Sequence, residues 1–247
     1  MTIAVISDTH IKVPGDEAYQ VMESFLLSDN VVNSNVVVFL GDIFDLMVGS
    51  HQYYLEKFEA FFLKLEALLN QGKEVHFFEG NHDFHLKKLM SERFKDKSFF
   101  YHQNSFILKK WGKTFYFSHG DDLDWDNRAY KLTKFILRNR LFNKFVDKVP
   151  GTIVHYLGAK WSSHSRKKNK SYFLDPLISN QIKQKFRSNA RQLCLSQKYD
   201  YIICGHSHIE DEYSISEGMT YLNNGYPPHS KKCILLSEVG HQLYLLP

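Results

Sequence analysis

Short apolar runs separated by amphipathic stretches organise the first half of the chain. Ile3 to Ile6, Val36 to Leu40 and Val75 to Phe78 are continuous β-branched and aromatic runs of the length expected for buried strands. Between the second and third, Tyr54, Phe58, Phe61, Phe62, Leu65, Leu68 and Leu69 recur at spacings of three and four, which predicts an amphipathic helix. Strand, helix and strand in succession predict parallel pairing through right-handed crossovers. Phe106 to Leu108 and Thr114 to Phe117 flank Trp111-Gly112-Lys113 and predict a hairpin. Met219 to Leu222, Cys233 to Leu236 and Gln242 to Leu245, around Gly225 and Gly240, read the same way. The expectation is an α/β fold, a mixed sheet or two packed sheets with helices outside.

Charge divides this pattern in two. Residues 127 to 191 hold 16 Lys/Arg against 2 acids, Asp147 and Asp175, a balance of +14, whereas the remaining 15 Lys/Arg and 25 acids give −10. Within the basic segment Leu132, Phe135, Ile136, Leu141, Phe142 and Phe145 are interleaved with Arg and Lys, and Asp175-Pro176 opens a second helical stretch ending near Leu195. Pro150-Gly151 and the polar run from Ser162 to Ser171 break it. This predicts a basic helical cap, 127–191, inserted into a body made of 1–126 and 192–247. A lysine-rich solvated face would explain the charge without function. The alternative is a surface for phosphate, nucleic acid or anionic lipid heads, with Arg138, Arg140, Lys144, Arg166, Lys167 and Lys170 as candidate phosphate contacts and Phe135, Phe142, Phe145, Ile153 and Trp161 as candidate lining of an apolar groove.

Composition narrows the class. With 43% hydrophobic and 15% aromatic residues the chain can bury a full core, which excludes disorder as its main state. Three cysteines, Cys194, Cys204 and Cys233, form no C-x-x-C pair, so neither a disulfide framework nor a cysteine zinc site is expected, and a reducing compartment fits. Asp8 interrupts the N-terminus before a long apolar run builds up, and no stretch approaches ~18 apolar residues. The expected location is cytoplasmic, with peripheral contact to the inner face of the membrane through the cap.

Chemistry concentrates at the strand ends. After the first strand come Asp8 and His10, after the second Gly41-Asp42 and Asp45, and after the third Gly80-Asn81-His82-Asp83. His119-Gly120-Asp121 follows the hairpin, and Gly205-His206-Ser207-His208 follows Tyr201 to Cys204. A single such histidine would usually be a satisfied surface residue. Five recurrences are different, because loops at the carboxyl ends of strands in α/β sheets converge on one crevice. Carboxylate, imidazole and amide oxygen together suit borderline divalent ions such as Mn²⁺, Fe²⁺ or Zn²⁺, and the donors suffice for two ions. Ser7 and Ser207 lie close by, but every candidate base is a candidate ligand, which argues against a serine nucleophile.

The blocks D-x-H, G-D, G-N-H-D, H and G-H-x-H, in that order, resemble those of the calcineurin-like metallophosphoesterases. The resemblance implies a two-sheet αββα sandwich and hydrolysis of a phosphoester or pyrophosphate at two divalent metals, manganese first among the candidates. It further implies Asp8, His10 and His208 on one ion, Asn81, His119 and His206 on the other, Asp42 bridging, His82 acting on the leaving oxygen, and Asp83 orienting His82. The sequence GDIFD-Leu46 and Asp83 depart from the G-D-x-V-D-R-G and G-N-H-E blocks of the protein serine/threonine phosphatases. GDIFD, the His119-Gly120-Asp121 block followed by Asp124, Asn127 and Tyr130, and the basic insertion are similar instead to the UDP-2,3-diacylglucosamine hydrolases, although His82 stands where the best-known of those carry arginine. That resemblance implies an anionic amphiphile as substrate, UMP and a lipid phosphate as products, and Asp124, Arg166, Lys167 and Lys170 as substrate contacts. The other reading is a phosphodiesterase or nuclease acting on soluble nucleotides or nucleic acid. Against nucleic acid, the aromatics of the basic segment follow helical core spacing rather than an exposed stacking platform.

Overall fold

The architecture comes from a computed structural model that describes residues 1–125, 137–158 and 175–247. Its first sheet contains β1 (Thr2–Ile6), β2 (Val36–Phe39), β4 (Glu74–Phe78), β6 (Phe99–His102), β12 (Lys232–Ser237) and β13 (Gly240–Leu245), in the order β13-β12-β1-β2-β4-β6. β1, β2, β4 and β6 are parallel, and β12 and β13 add antiparallel at the edge beside β1. The second sheet contains β7 (Phe106–Lys110), β8 (Lys113–Ser118), β9 (Tyr201–Cys204), β10 (Glu210–Ser216) and β11 (Met219–Asn224), in the order β10-β11-β9-β8-β7. A two-stranded parallel piece joins β3 (Met47–Val48) to β5 (Asp83–Phe84) near the strand ends.

Alternation explains the layering. Ala4, Ile6, Val37, Phe39, Val75 and Phe77 turn outward from the first sheet and bury against α1 (Glu17–Leu27), α4 (Glu59–Asn70) and α5 (Lys87–Arg93). Their neighbours Ile3, Val5, Val36, Val38 and Phe78 turn inward onto Phe115, Phe117, Tyr201, Ile203 and Leu222 of the second sheet. A period of two with both faces apolar is what a doubly covered strand requires. The outer face of the second sheet, with Tyr116, Ile202, Cys204 and Tyr221, is covered by Phe186, Ala190 and Cys194 of α7 (Pro176–Ser196). The result is the expected αββα sandwich.

Several expectations change. The helix expected from Tyr54 to Leu69 is two, α3 (Gln52–Lys57) and α4, broken at Phe58, whose φ of −114° and ψ of 27° leave the helical region. β11 does not form a hairpin with β12: they belong to different sheets, and β11 pairs with β10, which the sequence reading missed. β10 reads EDEYSIS, too polar to register as a strand, because one face is open to solvent. Most of α7 falls within residues 127–191, yet its packing makes it an outer layer of the sandwich. Among the described residues, 137–158, including α6 (Arg140–Val146), overlies the strand-end loops, where Leu137, Phe142, Val146 and Val154 meet Leu46, Val48 and Phe84. Among the described residues no helix is long and apolar enough to cross a membrane.

Near the β4–β6 edge His76 and His102 stack at 5.1 Å with rings 2° from parallel, and His76 Nδ1 lies 2.9 Å from His102 Nε2. Burial pushes both imidazoles down to about 4, helped by Lys110 at His76 and by His76 at His102. In the unfolded chain each would titrate near the ordinary 6.5, so the unfolded state gains protons first as pH falls. The stability this neutral pair contributes should be complete above pH 6.5 and be lost between about 6.5 and 4. Thermal unfolding followed across that range checks this: the midpoint of His76→Phe/His102→Phe should depend less on pH than that of the parent protein.

Candidate metal centre

Five loops leave the carboxyl ends of β1, β2, β4, β8 and β9 and meet at one end of the sandwich. Their backbone is bent sharply. Asp8, His10, Asp42, His206 and His208 all have φ between 52° and 66°, the left-handed region that costs a side-chain-bearing residue of order 1–3 kcal/mol each. Five of the seven residues proposed as ligands from the sequence are held in this way. Close approach adds a second restriction. A Cβ on Gly80 would lie 2.1 Å from Asp42 Oδ1, and one on Gly205 2.2 Å from Asp8 Oδ2, so glycine alone lets these loops touch.

The side chains form two adjoining clusters. In the first, His10 Nε2 lies 3.1 Å from His208 Nε2, and His208 Nε2 lies 3.3 Å from Asp8 Oδ1. In the second, Asn81 Oδ1 lies 3.1 Å from His119 Nε2 and 3.0 Å from His206 Nδ1, and the two ring nitrogens are 3.3 Å apart. Asp42 Oδ2 stands between the clusters, 3.7 Å from His10 Nε2 and 3.6 Å from His119 Nε2. Oxygen and nitrogen lone pairs gathered this closely are best reconciled by a cation among them. Borderline divalent ions fit the mixed donor set.

The surroundings hold these groups in place. Asp8 is fully buried and accepts from the Ser7 hydroxyl at 2.5 Å and from the His206 amide at 3.0 Å. Burial works against its charge, but the facing His208, His119 and Ser7 hold its carboxyl below the ordinary value. His119 Nδ1 faces the Leu40 carbonyl at 3.0 Å, which fixes the proton there and leaves Nε2 to coordinate. For His206, burial is outweighed by Asp124 and by the Asp121, Asp42 and Asp8 charges, which raise its pKa.

Asp83 does something other than expected. Its Oδ1 accepts from the amides of Asp42 and Gly80, both at 2.9 Å, and its Oδ2 from those of Ile43 at 2.7 Å and Phe44 at 3.2 Å. Burial and the Asp42 charge push this carboxyl well above its ordinary range, against the pull of the amides. Asp83 therefore clamps the β2 loop to the β4 loop. His82 is oriented by Asp45, whose carbonyl oxygen faces His82 Nδ1 at 2.9 Å.

A family model for the calcineurin-like phosphoesterases matches residues 1–210. The chain belongs to that family. A UDP-2,3-diacylglucosamine hydrolase of Vibrio vulnificus is 25% identical over 211 residues, covering 84% of this chain and 81% of the relative. One from Serratia proteamaculans is 24% identical over 224 residues, covering 90% and 88%. Among solved structures, an archaeal phosphodiesterase aligns over 100% of both chains with a TM-score of 0.48 and 14% identity.

In this phosphoesterase one of the cap cations expected to meet substrate is engaged elsewhere, whereas Lys144 is exposed. Arg138 donates to the carbonyls of Gly80 and Gln103, at 3.2 and 3.1 Å. Asp124, expected to touch substrate, is buried, pairs with Lys185 of α7, and lies 3.9 Å from His206 Nε2, where it backs the ring from behind. Arg166, Lys167 and Lys170 lie outside the described residues. Of two further residues at the site, Asp45 stands among the strand-end groups expected from sequence without a role, and Tyr226 was not expected. Asp45 groups with His10 and His82, its potential donor atoms within 4.8 Å of theirs, and its spacing in GDIFD was the available signal. Tyr226 stacks on His208 at 5.4 Å and 14°, with nothing local in sequence to mark it.

The crowding at Gly80 gives a direct test. Gly80→Ala should fold, with near-parental far-ultraviolet circular dichroism, but bind Mn²⁺ at least tenfold more weakly, as read by calorimetry. Unchanged affinity would mean that the two loops can separate without disturbing the ligands.

Proposed function

We propose that this phosphoesterase is a dinuclear-metal hydrolase, with Asp8, His10 and His208 holding one ion, Asn81, His119 and His206 the other, and Asp42 shared. The observation that carries the reading is the place of Asp42 Oδ2, at 3.7 and 3.6 Å from an imidazole of each cluster. Two divalent cations, with Mn²⁺ the first choice, would supply neutralisation of phosphoryl oxygens and an attacking water of lowered pKa. The protein's own task is to fix geometry. Asp42 sets the separation of the two clusters, and Asp83 holds the loops that carry Asp42 and Asn81. The Asp45 carbonyl keeps a proton on His82 Nδ1, so that His82 Nε2 donates to a departing oxygen only when the ring carries both protons. His82 then serves leaving groups that most need a hydrogen bond.

The substrate we propose is a pyrophosphate-linked anionic amphiphile, UDP-2,3-diacylglucosamine or a close analogue, acting at the inner face of a membrane. Hydrolases of that compound among the relatives, at 24–25% identity over most of the chain, support this class. So does the cap, where Phe145, Tyr156 and Leu157 are 65%, 68% and 59% exposed beside a strongly basic sequence. Arg166, Lys167 and Lys170 remain the proposed substrate contacts.

Three measurements test these statements. Asp42→Ala should lose both bound metal, by elemental analysis, and turnover, by ~10³-fold or more, because no neighbouring carboxylate can take its place between the clusters; full metal content with near-parental rate would sink the dinuclear assignment. His82→Ala should retain metal and slow substrates with poor leaving groups ~10²-fold or more while sparing activated aryl phosphodiesters. Equal losses on both would reassign His82 to binding. Finally, with Mn²⁺ present, UMP release from UDP-2,3-diacylglucosamine should exceed hydrolysis of a cyclic nucleotide, single-stranded DNA or a bis-aryl phosphodiester. A preference for either nucleotide substrate would replace the lipid reading with that of a soluble-nucleotide phosphodiesterase or nuclease.

A further inference from the structure

Among the described residues of the cap, Arg138 reaches back to the β4 loop. Arg138 is the only residue of the described cap whose side chain touches the β4 loop backbone at a glycine that precedes a proposed ligand. Its Nη2 donates to the Gly80 carbonyl at 3.2 Å, its Nη1 to the Gln103 carbonyl at 3.1 Å, and its Nε lies 3.8 Å from Glu79 Oε2. Glu79 is fully buried at its side chain, and its other oxygen accepts from the His85 amide at 2.8 Å, the Tyr101 hydroxyl at 2.5 Å and the Gln103 amide at 3.2 Å. The guanidinium is the one cation paired with this buried carboxylate among the described residues. It is thus tied to the body at three atoms, a geometry that a planar fork allows and an ammonium does not.

Gly80 is where this grip matters. Its amide donates to Asp83 Oδ1 at 2.9 Å while its carbonyl accepts from Arg138, and its α-carbon abuts Asp42 too closely for any Cβ. The next peptide plane leads directly into Asn81, whose side-chain oxygen faces His119 and His206. A neutral amide oxygen is a weak ligand, so its contribution to a metal depends on correct placement. The rotation of the 80–81 peptide sets that placement. A second pair of bonds anchors the same stretch of cap: His85 Nε2 donates to the Leu137 carbonyl at 2.6 Å, and the Asn143 amide meets His85 Nδ1 at 2.8 Å. The cap is therefore docked on the residues on either side of Asn81.

We propose that Arg138 is a positioning residue that couples docking of the cap to metal binding at Asn81, His119 and His206. It acts through the Gly80 carbonyl and does not contact substrate. This inference rests on the dinuclear reading given above. It also means that anything drawing Arg138 away from Gly80 would weaken one of the two metal positions and leave the Asp8, His10 and His208 position in place.

Calorimetric titration with Mn²⁺, paired with steady-state hydrolysis of a bis-aryl phosphodiester, tests the proposal on the full chain. The parent should bind two ions. Arg138→Gln should keep one near its parental affinity and weaken the other at least tenfold, with kcat at saturating substrate and fixed Mn²⁺ lowered at least tenfold and KM changed less than twofold. Arg138→Lys should recover part of both effects, and methylguanidinium should partly restore kcat in Arg138→Ala. Lys148→Gln, which removes an exposed cation from the same segment, should change neither quantity. A single ion bound by the parent would overturn the dinuclear reading itself. Two ions bound normally by every folded Arg138 variant would overturn this inference alone, as would a raised KM with unchanged kcat, which would make Arg138 a substrate contact. Should Arg138→Gln fail to fold, Arg138→Lys decides by the same criteria.

Discussion

The buried carboxylate of Asp83 is the constraint on which the arrangement turns. Three amides of the loop following β2, those of Asp42, Ile43 and Phe44, donate to its two oxygens, and the Gly80 amide of its own loop after β4 makes a fourth bond. A carboxylate with no exposure to solvent is costly unless each oxygen is satisfied, and here both are. The clamp brings Gly80 against Asp42 and so places the carboxylate and amide proposed as ligands side by side. Asp8, His10, Asp42, His206 and His208 of the converging loops all have left-handed backbone. That conformation persists because the strands behind the loops are buried on both faces, in cores on either side of the first sheet.

The basic segment takes on a different character once its contacts are known. Charges that seemed available for phosphate are in part structural. Arg138 serves backbone carbonyls, Lys185 serves Asp124, and Arg187 makes a bidentate pair with buried Asp211 at 2.7 and 2.8 Å while lying over the Tyr213 ring. The acidic body and the basic segment are thus partners across their own interface, and the split in charge along the chain is partly a record of that packing. The same contacts give the cap a physical route to the metal-binding loops, through the 80–85 stretch, rather than a purely steric role above them.

Much of this was legible in the residues. Doubly buried strands announce themselves as uninterrupted apolar runs, and polar residues that follow five such runs can meet only at one sheet end. The α/β class and the convergence of the five loops were therefore within reach, and the resemblance of their blocks implied the αββα sandwich and the family. Other features depend on partners that a local pattern does not contain. β10 hides because half of its residues face water, and the allocation of β11 and β12 to different sheets is decided by which edges are open after the chain turns at Gly225. Phe186, Ala190 and Cys194 lie among Lys and Arg, so α7 reads as a basic helix although one stripe of it seals the second sheet. The role of Asp83 was misread because adjacency in sequence suggested a contact with His82, whereas the side chain turns toward the neighbouring loop. Arg138 shows the same limit, since a cation suits a carbonyl, a carboxylate or a phosphate equally until its neighbours are known.

In the proposed centre Asp42 joins two metal positions. Electron paramagnetic resonance of the protein loaded with Mn²⁺ tests it most directly, because two ions sharing a carboxylate are magnetically coupled whereas distant ions are not. A multiline spectrum of a coupled pair is expected at two equivalents of metal, collapsing to an isolated six-line signal in Asp42→Asn. An isolated six-line signal from the parent protein at full loading would contradict it.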